Sequence, residues 1–237
     1  KQDFLSGRLE KHSYISAMHK IHEYLYEYSH LIKTTDIEKI EIVDDEVVMT
    51  VRGTHARFLC DPKDERIAPV EILNFEKYEE KDARMMRNLL RPCETLFDIG
   101  ANYGYYSVQL SKLVSGLKVY AFEPIPRTFR YLKRNVEMNQ VQGIRLFNLG
   151  VSDRSGEHEF FFYPEGSGNA SMSNLTQSDR VERVVCQIQT LDGFLAQSPV
   201  HVDFVKCDVE GAGLLVFKGW LETFQEQKPI VFTELLR

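Results

Sequence analysis

One stretch does most to limit the fold: Thr95-Leu96-Phe97-Asp98-Ile99-Gly100-Ala101-Asn102-Tyr103-Gly104-Tyr105-Tyr106, with Val119-Tyr120-Ala121-Phe122-Glu123-Pro124 about twenty residues on. Leu96 to Ile99 is an apolar run with one acid in it, closed by Gly-Ala-Asn, which predicts a buried parallel strand ending in a tight turn. Past the turn Tyr106, Leu110, Leu113 and Val114 recur at helical spacing. A helix therefore opens there, with its free N–H groups facing whatever lies above. Glycines at 100 and 104 would let the backbone pass close to a ligand. A strand, a turn, a helix and a second strand make a nucleotide-binding βαβ unit and predict an α/β fold on a parallel sheet.

The turn also limits the ligand. It lacks the middle glycine of G-x-G-x-x-G that admits a pyrophosphate, which argues against a nicotinamide dinucleotide and a dehydrogenase. Asp98, inside the strand, is costly to bury without a partner, and the ammonium of an amino acid would supply one. Glu123, followed at once by Pro124 at the end of the next strand, is placed to accept both hydroxyls of a ribose. An amino acid joined to a nucleoside is the outline of S-adenosyl-L-methionine, the expected cofactor.

With 237 residues and 43% hydrophobic content, the chain can bury a full core. A net charge of -6 without a dense Lys/Arg block argues against a nucleic-acid partner. No apolar run reaches the roughly 20 residues of a membrane span, and Lys1 begins no signal-peptide pattern, so a cytoplasmic setting is expected. Lys1 in place of Met suggests a chain trimmed at its start. Cys60, Cys93, Cys186 and Cys207 are widely spaced, without a C-x-x-C pair, and read as isolated reduced thiols.

The first 77 residues read as an appendage. Ile15, Met18, Ile21, Leu25, Tyr28 and Ile32 recur every three or four positions and predict a helix from about Ser13. His19 and His22 on it lack the carboxylate or Cys pattern that would complete a metal site. Ile37 to Cys60 alternates apolar and charged residues around turns at Asp44-Asp45 and Gly53-Thr54, a small antiparallel meander. Residues 78–237 form the core, opening on a helix from Tyr78 to Leu90. A helix from Arg127 to Met138 and a strand from Ile144 to Gly150 continue the alternation. Val151-Ser152 lies just beyond that strand's carboxyl end, where an adenine could be read.

Glu159 to Tyr163 and Arg183 to Gln189 read as two further strands around the Gly/Ser/Asn-rich stretch 164–174, a lid or disorder. Asn169-Ala-Ser171 and Asn174-Leu-Thr176 match the N-glycosylation pattern by chance, given no secretory signal. Val202 to Cys207 is the fourth core strand and ends in Lys206-Cys207-Asp208-Val209-Glu210-Gly211; the fifth, from Pro229, ends in Glu234. Asp208, Glu210 and Glu234 are therefore expected to gather with Lys206 beside the Asp98 turn. If the chain stays extended, Asp208 and Glu210 share a face, and repulsion raises the pKa of one into the range of a general base while Lys206 holds the other ionised. Glu210 is the expected base. A divalent ion bridging the three acids is the competing arrangement, and no metal is assigned.

The set Phe97-Asp-Ile-Gly-Ala-Asn-Tyr-Gly-Tyr-Tyr106, Ala121-Phe-Glu-Pro124, Asn135 with Asn139, Thr190-Leu-Asp192 and Val202-Asp-Phe-Val-Lys-Cys-Asp-Val-Glu-Gly211 resembles the FkbM family of S-adenosylmethionine-dependent methyltransferases. The resemblance runs from about Tyr78 onward. It implies a Rossmann-like class I methyltransferase sheet with helices on both faces, and O-methylation of a sugar, glycan or secondary metabolite. Asp98, Gly100, Asn102, Glu123 and Asp208 would by that likeness contact the cofactor. The family's usual acid after Glu-Gly-Ala is replaced here by Gly213. The alternative reading is a binding module that keeps the cofactor pocket without turnover.

The family fold ends in two strands more than this sequence supplies. The last strand, with Ile230, Val231 and Phe232, would then be an open apolar edge, to be covered by further chain beyond Arg237, by the appendage or by a second molecule.

Overall fold

The computed structural model describes residues 1–172 and 180–234. The second glycosylation match and the last three residues fall outside them. A short helix α1 (Gln2–Leu5) precedes α2 (Lys11–Leu31), the helix expected from the sequence, on which no residue is buried. His19 on it pairs with Glu23 at 3.4 Å. The meander follows as β1 (Ile37–Val43), β2 (Glu46–Val51) and β3 (Ala56–Cys60), antiparallel throughout. Helices α3 (Ala68–Phe75) and α4 (Glu80–Leu89) lead into β4 (Thr95–Ile99), α5 (Tyr105–Leu113), β5 (Lys118–Phe122), α6 (Pro126–Asn139) and β6 (Ile144–Phe147).

The strand expected from Ile144 to Gly150 is two. After β6 the chain breaks at Asn148, whose amide donates to the carbonyls of Glu123 and Pro124 at 2.9 Å each. Gly150–Val151 is then a separate strand, β7, in a second sheet with β8 (Gly156–Phe162) and β9 (Glu182–Gln189). The remaining elements are α7 (Leu191–Gln197), β10 (Phe204–Cys207), α8 (Gly213–Lys218), α9 (Leu221–Gln227) and β11 (Ile230–Thr233). Thr190 caps α7 through Gly193 N–H at 3.1 Å, and Asp192 takes the N–H groups of Glu222 and Thr223 at the start of α9.

The main sheet is parallel, in the order β11-β10-β4-β5-β6. Side chains alternate across it. Leu96, Val119, Ala121 and Phe204 face a core completed by Met86, Val108, Leu110 and Leu132, from α4, α5 and α6. Phe97, Ile99, Tyr120, Phe122 and Val205 face the other way, against Phe194, Leu195, Val216 and Trp220. The sheet is thus covered by helices on both faces, the class I methyltransferase arrangement, and its strand ends open on one side. The meander packs into the first of these cores through Ile37, Met49 and Phe58 rather than standing apart. Asn135 and Asn139 on α6 hold it, with Leu59 N–H donating to Asn135 at 2.8 Å and Arg57 N–H to Asn139 at 2.9 Å.

Candidate active site

A cavity of about 330 Å³ lies over the carboxyl ends of β4, β5 and β10. Of the residues expected from the sequence, Gly100, Asn102, Glu123, Pro124, Val151, Lys206, Asp208, Glu210 and Glu234 line it, whereas Asp98, Gly104 and Ser152 do not. Both glycines of the turn hold positive φ, +76° and +82°. A Cβ on Gly100 would stand 1.8 Å from the carbonyl oxygen of Asp208, and one on Gly104 would stand 2.4 Å from Leu132 Cδ1. Close packing against the Asp208 carbonyl and against Leu132 thus already requires glycine at both positions.

Asp98 also has a different partner from the one expected. Ser107 on α5 donates to it at 2.6 Å, and the Nζ of Lys206 stands 3.3 Å away. Both charges are buried. A side chain of the adjacent strand thus supplies the cation expected from a ligand ammonium, and Asp98 lies beneath the cavity lining. The same Nζ donates to the carbonyl of Gly100 at 3.0 Å and lies 3.4 Å from Asp208. Burial alone would lower the pKa of Lys206, but Asp98 and Asp208 outweigh it and hold the lysine above its ordinary value.

Glu123 faces the cavity from the end of β5. One carboxylate oxygen accepts from Asn102 N–H at 3.0 Å and the other from Ile125 N–H at 2.9 Å. Each oxygen keeps a lone pair for a further donor. Burial pushes its pKa up to about 7, against the pull of those two N–H groups. Leu149, Val151, Phe160 and Met172 make the neighbouring wall apolar, suited to a flat ring. Ser152 is buried behind this wall and turns its hydroxyl to Asp153 at 3.4 Å.

At the opposite end the three acids meet, each offering an oxygen within 4.8 Å of the others. They do so by a route the sequence did not suggest. The chain is not extended through 208–210: Glu210 lies in the left-handed region, φ +46°, directly after the end of β10. Burial first, then Asp208 and Glu234, push the pKa of Glu210 up to about 7. Glu234 is raised as well, chiefly through its bond with Asp208.

Some lining residues carried no signal in the sequence. Glu79 reads as one more charge before α4, yet its φ is +40° and the Tyr106 hydroxyl donates to its carboxylate. Burial and that carboxylate raise the pKa of Tyr106 far above the ordinary value, so the phenol keeps its proton. Arg66, Glu71, Lys77 and Tyr78 come from the segment before β4. The stretch read as lid or disorder is packed as far as Met172. Ser167 N–H donates to Asp64 at 3.1 Å, its hydroxyl donates to Asn102 at 3.1 Å, and the Ser171 hydroxyl donates to the carbonyl of Glu210 at 2.9 Å.

The chain is similar to known proteins. The profile of the methyltransferase FkbM domain matches residues 98–236. Methyltransferase 1 of Beauveria bassiana is 26% identical over 52% of this chain and 57% of its own length. The 31-O-demethyl-FK506 methyltransferase FkbM of Streptomyces tacrolimicus is 37% identical over 33% of this chain and 30% of its own length. The chain thus spans little more than half of the first relative and under a third of the second. Among solved structures, precorrin-6y C5,15-methyltransferase from Geobacter metallireducens overlays 68% of the chain and 64% of its own, at 15% identity and a TM-score of 0.41.

Proposed function

The chain belongs to the FkbM methyltransferase family, and from that premise we propose that it methylates a hydroxyl of a sugar, glycan or secondary metabolite with S-adenosyl-L-methionine. The charge of the cavity carries the reading. Among the described residues, Glu71, Glu79, Glu123, Asp208, Glu210 and Glu234 line it against Arg66, Lys77 and Lys206. Such a lining favours a cationic cofactor and repels the pyrophosphate of a dinucleotide. The fit is consistent in its parts: Glu123 has two lone pairs free for ribose hydroxyls, with an apolar wall beside it for a base.

When bound, the cofactor supplies a methyl group on a sulfonium, which becomes a neutral thioether when the methyl leaves. Glu123 and Asn102 would hold its sugar, and Val151, Phe160 and Met172 its base. Lys206, between Asp208 and the Gly100 carbonyl, fixes the end of β10 at the cavity and would steady the acids that face the acceptor. Glu210 is the group assigned to take the proton from the acceptor hydroxyl as the oxygen–methyl bond forms. Its elevated pKa suits that task, because a base near neutrality combines an available carboxylate with real proton affinity. The rest of the rate enhancement comes from alignment of acceptor and methyl group.

Labelled S-adenosylmethionine offered with a panel of glycans and hydroxylated metabolites tests the proposal. Label in a methyl ether supports it. Cofactor binding without transfer to any acceptor would assign a binding module instead, and tighter binding of NADH than of the sulfonium would overturn the cofactor.

A further inference from the structure

A second depression, of about 420 Å³, lies away from the acidic cavity and is lined by Lys63, Arg127, Arg130, Tyr131 and Arg134. Its cations contrast with the chain's net charge of -6. Arg127, Arg130 and Arg134 follow one another at spacings of three and four on α6, which puts them on one face of the helix. Lys63 comes from the turn after β3.

The two elements are locked together by Asp61, whose side chain is only 1% exposed. Its Oδ2 accepts from Arg127 Nε at 3.0 Å and also from Nη2, while Oδ1 accepts from the backbone N–H of Lys63 at 2.9 Å. Glu46 on β2 holds both terminal nitrogens of Arg134. Two guanidinium groups are therefore fixed in place by their own carboxylates and keep further N–H groups for a ligand. Arg130 and Lys63 are exposed and make no ion pair among the described residues. Counting Asp61 and Glu46, the depression retains two uncompensated positive charges.

We propose that this groove binds a diphosphate-bearing ligand. Arg134 lies seven helical steps beyond Arg127, about 10 Å of rise, which is more than one phosphate covers and suits two in a row. Arginine forks match phosphate oxygens in pairs, and the half-buried Tyr131 ring offers a flat surface beside them. The Tyr103 ring, inclined 45° to it, lies 5.0 Å away by centroid and lines the acidic cavity, with its hydroxyl 3.4 Å from Asp61. A group held against Tyr131 is thus separated from the acidic cavity by the Tyr103 ring.

Calorimetric titration of the whole chain with inorganic pyrophosphate and with ADP, at low salt, tests the assignment. The control is the double variant Lys63→Ala/Arg130→Ala, which removes only exposed, unpaired side chains and leaves the Asp61 lock intact. Binding of pyrophosphate by the wild type, weakened at least tenfold in the double variant while its thermal unfolding is unchanged, supports the site. Tighter binding of ADP than of pyrophosphate identifies a nucleotide as the source of the diphosphate, and equal binding identifies the diphosphate alone. No binding of either probe by the wild type at millimolar concentration overturns the proposal, as does equal binding by the double variant. Because neither residue touches the acidic cavity, failure here leaves the methyltransferase reading standing.

Discussion

Asp98 and Lys206 occupy the same rung of the β4–β10 pair, and their charged atoms face each other 3.3 Å apart in the buried interior. A pair of this kind adds little to stability over an apolar equivalent, but losing one member strands the other. Lys206→Met should therefore cost about 3–5 kcal/mol in urea unfolding. Combining it with Asp98→Asn should recover part of that loss. A single variant as stable as the wild type would mean that the pair is not buried as described.

Glu210→Gln should lower turnover roughly 10²- to 10⁴-fold, since the amide keeps shape but cannot take a proton. Cofactor affinity should fall far less than turnover, because the groups assigned to the cofactor's sugar and base are Glu123, Asn102 and the apolar wall. EDTA should have no effect. Loss of activity on chelation alone would instead favour a divalent ion held by Asp208, Glu210 and Glu234.

The pH dependence has two signs. As a base, Glu210 must be ionised, so the turnover rate should rise through about pH 7 and level off above it. Stability should move the other way. Glu123 and Glu210 both titrate near 7 when folded, against 4.5 for the ordinary group. Between those values the folded chain binds more protons than the unfolded one, so stability is fully present below the lower value and falls as pH rises through the upper one. A stability that climbs from pH 5 to pH 7.5 would contradict both shifts.

Glu123→Ala should weaken S-adenosylmethionine binding by about 2 to 4 kcal/mol through the loss of two charge-assisted hydrogen bonds. It should also soften the apo protein, because Asn102 and Ile125 lose the acceptor of their N–H groups. Titration calorimetry with thermal unfolding separates the two effects. A stability loss with affinity unchanged would leave Glu123 as a brace of the turn alone.

The two glycines of the turn should respond unequally to alanine. At Gly100 the new methyl meets a fixed backbone carbonyl, that of Asp208, whereas at Gly104 it meets the far end of the Leu132 side chain, which can swing aside. Both pay for positive φ, so both lose stability, and Gly100→Ala should lose more. Soluble yield and unfolding midpoint would show the order, and a reversed order would place the tighter contact elsewhere.

The strand, turn and helix around Asp98 were legible because periodicity and glycine placement report backbone geometry directly. So was the convergence of Asp208, Glu210 and Glu234, since parallel strand ends lie on one side whatever the path between them. The left-handed turn at Glu210 was not legible, because an acid at positive φ has no signature in composition. The partner of Asp98 was missed although Lys206 was named. Which strand lies beside β4 is a question of topology, and only the order β11-β10-β4-β5-β6 puts the lysine on that rung. Glu79 went unnoticed for a related reason: it acts through a contact with Tyr106, 27 residues away.

Asn135 and Asn139 invite a different view of α6. Asn139 both accepts from Arg57 N–H and donates to Arg57 C=O at 2.7 Å, so its amide treats that residue as a neighbouring strand would. The helix thereby finishes a sheet, and β3 has no vacant edge along these residues for another molecule to join. At the opposite margin of the meander, β1 leaves Ile42 and Val43 exposed. Loosening of α6 would bare a second margin, and a variant weakened in that helix would show the damage as self-association of β strands before it lost its helical signal.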